Sequence, residues 1–376
     1  MNEKKAEIQN QAYSAWKSTG YKGRLEMCTG SGKSRVAVLA AMEVQEEICL
    51  IVPTENLRDN NWKSEFKRWG NLEVYEKITR ICYASASKIK NKKFNLIILD
   101  EVHRLTPLAS IFFENNKVKK IISLTATMAD NEERKELINI ITPKVFSYTL
   151  EQGVIDKVVA PFNLHIIETT LDKKVKNISA GNIKNPFLAT EDNQYRYLDR
   201  LYKTNLFDGQ MNAAGAWANK RMHFLYSLPS KTALAIKIKD HIFKNKRGLI
   251  FCGSKKQAEE VHKYFYHSGN SKSDNLTKLI KKEIDILACV NKLNEGANIP
   301  DLDIALIVQL KSKELDLIQR IGRIVRWREN HIADIYIIKI LGTQDEVWVN
   351  KALNAFDPEI TKITYHHAET FLRTFD

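Results

Sequence analysis

Short apolar runs recur along the chain, each followed by a stretch in which apolar residues return every third or fourth position. Arg24–Met27 reads as a short strand that leads into a glycine-rich turn. Lys33–Glu47 then sets Val36, Leu39, Ala40 and Val44 at helical spacing. Ile48–Val52 is a strand closed by Pro53, Asn56–Trp69 reads as a helix stopped by Gly70, and Phe94–Leu99 and Lys120–Leu124 are further strands. Short runs of this kind alternating with amphipathic stretches predict βαβ units around a parallel sheet.

A second series of the same kind starts near Val158. Phe162–Thr169, Gly248–Cys252, Ile284–Val290, Ile304–Leu310 and Ile332–Ile340 read as strands, and Gln257–Tyr266 as a helix. Two α/β domains are expected, 1–153 and 154–376. The stretch 172–245 fits neither series. Its helical segments, around Asp192–Tyr202, Ala213–Leu225 and Lys231–Phe243, predict an inserted helical subdomain.

Length agrees with this division, since 376 residues exceed one ordinary domain. Hydrophobic content of 44% with 27% charged residues describes a globular chain. Runs such as Leu96-Ile97-Ile98-Leu99 are too short to span a bilayer, and Met1-Asn2-Glu3-Lys4-Lys5 opens no signal peptide. Cys28, Cys49, Cys82, Cys252 and Cys289 form no CxxC pair, so they read as inert thiols in a reducing cytoplasm, that of a host if the chain is phage-encoded. A soluble monomer without membrane partners is expected. The net charge is +13, and residues 172–247 hold 15 Lys/Arg against 6 Asp/Glu. That concentration points to a polyanionic partner. Tyr195, Tyr197, Tyr202, Phe207 and Trp217 lie in the same stretch, most of them expected in the core of the small subdomain. Lys220, Arg221, Lys237 and Lys239 are its candidate contacts to duplex or junction DNA.

Four segments carry chemistry. Thr29-Gly30-Ser31-Gly32-Lys33-Ser34 joins a strand to a helix, where glycines let backbone N–H groups close around phosphate oxygens. Lys33 would reach the β- and γ-phosphates, and Ser34 would ligate Mg²⁺. The pattern GxxxxGK[ST] is broken at its first position by Met27. Asp100 and Glu101 emerge from the strand ending at Leu99, Asp100 as a second Mg²⁺ ligand and Glu101 to orient and deprotonate water. His103, Thr125 and Thr127 could link that pair to nucleic-acid contacts. Gln319, Arg323 and Arg326 share a probable helix, and two guanidinium groups three residues apart suit a γ-phosphate.

In this order the segments resemble superfamily 2 helicases of the DEXH type, the group with phage branch-migration helicases, excision-repair helicases and type III restriction translocases. Ile51-Val52-Pro53-Thr54 with Leu57 and Trp62 is similar to motif Ia, Ile250–Ser254 to motif IV, and Asn294–Pro300, with Glu295 and Gly296, to motif V. Asn298 stands where that group carries aspartate. Gln9, or alternatively Gln11, resembles the upstream glutamine that reads adenine. The resemblance implies two RecA-like lobes in tandem with ATP·Mg²⁺ clamped between them. It further implies nucleic-acid backbone contacts from Pro53, Thr54, Ser85, Gly253, Ser254 and Asn291, carrying little sequence specificity. The activity it implies is a DNA-stimulated ATPase that translocates, unwinds or branch-migrates DNA. An RNA helicase and a nucleotide-switched clamp are the alternatives.

Overall fold

The protein is described from a computed structural model over residues 3–128, 131–181, 184–270, 273–290, 299–310, 317, 320–322, 324 and 331–375. Two compact units divide between Pro161 and Phe162, and the described residues of the 315–332 segment group with the first.

The first unit holds a six-stranded sheet. Its strands are β1 (Lys22–Met27), β2 (Ile48–Val52), β3 (Thr79–Cys82), β4 (Lys93–Leu99), β5 (Lys117–Thr125) and β6 (Lys144–Tyr148), ordered β3-β2-β4-β5-β1-β6. Every pairing in it is parallel. β2 is buried at all five positions, the sign of a strand covered on both faces. The edge strands β3 and β6 carry charged and half-buried residues instead, so no apolar run announces them.

Helix α1 (Glu3–Ser18) lies on this sheet through Trp16, whose indole Nε1 donates to Ile121 O at 2.8 Å. Helix α2 (Lys33–Val44) follows the glycine turn and buries Val36, Ala37, Val38, Ala40 and Ala41, a broader face than the four-residue stripe expected. The single helix expected over Asn56–Trp69 is two pieces, a π-helical turn Leu57–Asn61 and a helix Trp62–Arg68.

The second unit has a seven-stranded sheet. β7 (Phe162–Thr169), β10 (Gly248–Phe251), β11 (Phe265–Tyr266), β12 (Ile286–Cys289), β13 (Ile304–Ile307), β14 (Ala333–Ile340) and β15 (Lys362–His367) run in the order β11-β12-β10-β13-β14-β7-β15. It too is parallel throughout. The helix expected over Gln257–Tyr266 stops at Val261, and Phe265–Tyr266 leaves it to become β11.

The stretch from 172 to 245 is not one subdomain. Its last helix, Pro229–Ile242, covers the second sheet, with Ala235, Ile238 and Ile242 packed against Ile250, Ile304 and Ile338. What stands apart is an antiparallel hairpin, β8 (Ile178–Gly181) with β9 (Pro186–Ala189), and two helices, Glu191–Phe207 and Met211–Tyr226. Of the five aromatics expected mostly in a core, Tyr195 is buried, whereas Tyr197 and Phe207 are 46% and 92% exposed.

Candidate nucleotide site

Parallel strands bring their carboxyl ends to one edge of a sheet, and neighbours in the order share that edge most closely. Because β4, β5 and β1 are adjacent, the residues after Leu99, Thr125 and Met27 arrive together. The turn after β1 is shaped by glycine. Gly30 and Gly32 have φ of 93° and 86°, a left-handed backbone that a side chain disfavours. A Cβ on Gly32 would also lie 2.1 Å from Gln9 Nε2. Between them Ser31 is buried, and its hydroxyl donates to Cys28 O at 2.7 Å.

Lys33 opens α2, and its ammonium lies 3.1 Å from Glu101 Oε1. Glu101 itself sits at φ 48°, the left-handed region again, but here on a residue with a full side chain. Such a backbone costs on the order of 1–3 kcal/mol and persists where its surroundings hold it. Asp100 is 6% exposed. Its Oδ2 accepts from Trp62 Nε1 at 2.8 Å, and its backbone carbonyl accepts from the Tyr83 hydroxyl at 2.9 Å. Burial and then the Glu101 carboxylate push the Asp100 carboxyl well above the usual range, to about 7, against the opposing pull of Lys33 and the Trp62 bond.

A buried carboxylate in that situation is relieved by a cation of higher charge. The buried Asp100 carboxylate is chemically suited to a hard divalent ion such as Mg²⁺, which commonly takes one or two protein oxygens, and Ser34, in the first turn of α2, is the other ligand expected from the sequence.

His103 is buried and links the acidic pair to β5. Its Nδ1 lies 3.1 Å from Thr125 Oγ1 and 3.4 Å from Glu101 Oε2. Thr125 gives its one hydroxyl proton to Thr127 O, so Oγ1 is left to accept and His103 carries its proton on Nδ1. Of the two upstream glutamines, Gln9 is the one at the turn. It is buried and donates to Ser31 O at 2.8 Å, while Gln11 is exposed and bonds Glu7 on its own helix.

Among the other expected residues, Pro53 and Thr54 follow β2, and Ser85 follows β3, on the same carboxyl edge. In the second unit Ser254 caps the helix Lys255–Val261, accepting from Gln257 N at 3.2 Å, and Gly253 N donates to Gln257 Oε1 at 2.8 Å. Gln319, Arg323, Arg326, Asn291, Glu295, Gly296 and Asn298 lie outside the described residues. Gly322, inside them, rests against the glycine turn, where a Cβ would come 2.5 Å from Thr29 Cβ.

Arg221 is a correction. It is 7% exposed, bonds Asp199 and Gln344 Oε1, and stacks over Tyr202 at 4.4 Å, so its charge is spent against the neighbouring helix Glu191–Phe207 and Gln344. Lys239 likewise donates to Val261 O at 3.0 Å. Lys220 and Lys237 are exposed, Lys220 with its ammonium 4.1 Å from the Trp217 ring. Sequence reasoning missed Trp62 and Tyr83 as supports of Asp100, and Arg35 beside Gln9. Only their three-dimensional neighbours mark them.

Comparison with known proteins bears on the fold and on the second unit. Residues 231–328 match the helicase conserved C-terminal domain. The DNA 3'-5' translocase XPB2 of Sulfurisphaera tokodaii is 24% identical over 369 residues, covering 90% of this chain and 82% of its own. Among solved structures, yeast Dbp5 bound to RNA and ADP BeF3 aligns with a TM-score of 0.60 at 12% identity, over 98% of this chain and 93% of that one. The Type ISP restriction-modification enzyme LlaBIII bound to DNA aligns with a TM-score of 0.60 at 14% identity, over 96% of this chain. The chain spans 31% of that larger enzyme. The tandem parallel-sheet units are of the RecA-like kind found in superfamily 2 helicases, residues 231–328 carry a helicase C-terminal domain, and the chain is similar along most of its length to a DNA translocase.

Proposed function

We propose that the chain is a DNA-stimulated ATPase that uses hydrolysis at the Lys33 site to move along DNA and to unwind or branch-migrate it. The observation that carries the reading is the Lys33–Glu101 ion pair, 3.1 Å long, beside a buried Asp100. Glu101 engages the Lys33 ammonium, a cation that a triphosphate would claim. When ATP enters, Lys33 turns to the β- and γ-phosphates and releases Glu101, which then orients water and takes its proton as the bond to the leaving diphosphate breaks. Ser34 and Asp100 would hold Mg²⁺, which would neutralise phosphate charge. Thr29, Gly30, Ser31 and Gly32 cradle the phosphates, Gln9 faces the base, and Glu295 and Gly296 complete the nucleotide contacts. Gln319, Arg323 and Arg326 are assigned to the γ-phosphate.

His103, Thr125 and Thr127 make the chain of hydrogen bonds by which nucleotide state reaches the DNA-gripping residues. Pro53, Thr54, Ser85, Gly253, Ser254 and Asn291 are those we assign to the phosphate backbone. A hydroxyl that accepts from a helix N–H, as Ser254 does, still has its proton to give to a phosphate oxygen. Lys220 remains a candidate contact, and Arg221 does not. The likeness to a DNA translocase favours DNA over RNA.

ATPase rate against single-stranded DNA, duplex DNA, forked DNA and RNA tests the reading. DNA is expected to stimulate hydrolysis, and Lys33→Ala is expected to abolish it while DNA binding persists. Turnover retained in Lys33→Ala would remove the site assignment, and stimulation by RNA alone would move the partner to RNA.

A further inference from the structure

Gln9 has both ends of its carboxamide occupied. Nε2 donates to Ser31 O at 2.8 Å, and Oε1 accepts from Arg35 Nη1. Ser31 O can only accept and Arg35 can only donate, so the orientation of this amide follows from chemistry. Arg35, in the first turn of α2, is itself held. Its guanidinium lies 4.8 Å from the Trp69 ring centre, and its Nε is buried without a hydrogen-bond partner. Gln9, Arg35 and Trp69 thus form one stack against the glycine turn, drawn from α1, α2 and the end of the helix Trp62–Arg68.

The arrangement bears on which base the site selects. Adenine and guanine both present N7 as an acceptor, and they differ at C6, where adenine offers an amino donor and guanine a carbonyl acceptor. Free glutamine selects adenine by accepting from the amino group while donating to N7. Here the accepting oxygen is engaged by a permanently charged donor. Beside it stand further guanidinium N–H groups, which suit the guanine carbonyl. The Gln9 carboxamide, buried in this arrangement, thus keeps one carbonyl lone pair that would suit adenine, and Arg35 keeps donors that would suit guanine.

We infer that Arg35 is a positioning residue that sets base preference through Gln9, and that with it in place the enzyme uses both purine nucleoside triphosphates. The inference rests on the Lys33 site being the nucleotide site. Replacing Arg35 by methionine keeps a long apolar stem over Trp69, removes every donor and returns Gln9 Oε1 to the base.

The test measures kcat/KM for ATP and for GTP on the full chain with saturating DNA, in the parent, R35M, and R35M combined with Q9A. The parent is expected to use the two within about fivefold of each other, since the base edge offers each purine a comparable set of bonds. R35M is expected to shift the ratio toward ATP by about tenfold or more, the scale of one restored hydrogen bond. Adding Q9A should erase the shift, which a merely structural role for Arg35 would not do. A parent that already prefers ATP by over about a hundredfold overturns the inference without any variant. An unchanged ratio in R35M overturns it as well. Lys33→Ala measured alongside separates the failures. Hydrolysis surviving in that variant discards the site itself, and hydrolysis lost there with a flat R35M ratio discards only the role of Arg35.

Discussion

Glu101 combines two features that seldom meet on one residue, a left-handed backbone and a carboxylate with a catalytic assignment. The twist lets the side chain turn back toward Lys33 and His103, at 3.1 Å and 3.4 Å. Asp100, one residue earlier, is directed instead toward Trp62, on the helix Trp62–Arg68. Neighbours in sequence thus occupy different environments, one part-exposed and one buried, as the proposed division into base and metal ligand requires. Glu101→Gln keeps shape and hydrogen bonding but cannot take a proton. Its turnover is expected to fall by about 10²–10⁴-fold with ATP affinity kept, which single-turnover hydrolysis and equilibrium nucleotide binding will report. Equal losses in both measurements would make Glu101 a binding group.

At the scale of elements, α1 and α2 are tied by Glu43. Its carboxylate lies 2.8 Å from Lys17 and 3.6 Å from Lys120 on β5, and accepts from the Tyr13 hydroxyl. The bond to Lys17, then that to Tyr13, hold Glu43 down at about 2. A lowered acid stabilises the fold above its unfolded value near 4.5, and the contribution is lost as pH falls toward 2. Glu43→Gln is therefore expected to melt roughly 1–3 °C below the parent at pH 7, with the gap closing by about pH 2.5, in paired thermal melts. A gap that persists at low pH would assign the loss to packing.

The central strands were legible in the sequence because a strand covered on both faces must be a continuous apolar run, as β2 and β4 are. The glycine turn and the acidic pair were legible because their chemistry is local. Other features depend on partners distant in the chain. β3, β6 and β15 sit at sheet edges with mixed residues, and Gln9 could be told from Gln11 only by what each touches. Arg221 reads as a free cation until Asp199, 22 residues away, is folded against it.

At the scale of the molecule, the net charge of +13 overstates what is available to a polyanion, since Arg221 and Lys231 are both buried with carboxylates. Lys231 is wholly enclosed in the second unit, 2.9 Å from Asp345 and 2.8 Å from Gln309 Oε1. Burial lowers its pKa, and Asp345 opposes the shift. Asp345 also accepts from Ile340 N, so one carboxylate joins the helix Pro229–Ile242, the end of β14 and the helix Gln344–Leu353. Lys231→Met would strand that carboxylate in the interior and is expected to cost about 3–5 kcal/mol, read as a lower denaturant midpoint for the second unit. Nucleotide affinity at Lys33, in the first unit, should be little changed. A midpoint within error of the parent would show that the ion pair is replaceable.

The glycine turn also owes its shape to side chains outside its own sequence signature. Lys5 reaches Gly30 O, Gln9 reaches Ser31 O, and Trp16 pins their helix to Ile121. All three come from the first eighteen residues. A shortened protein beginning at Thr19 would retain each glycine and the lysine of the turn, yet nothing from its own start would brace them. Deletion or fusion at that terminus is thus an operation on the ATPase itself, and a comparison of preparations that differ only there is a comparison of two different enzymes.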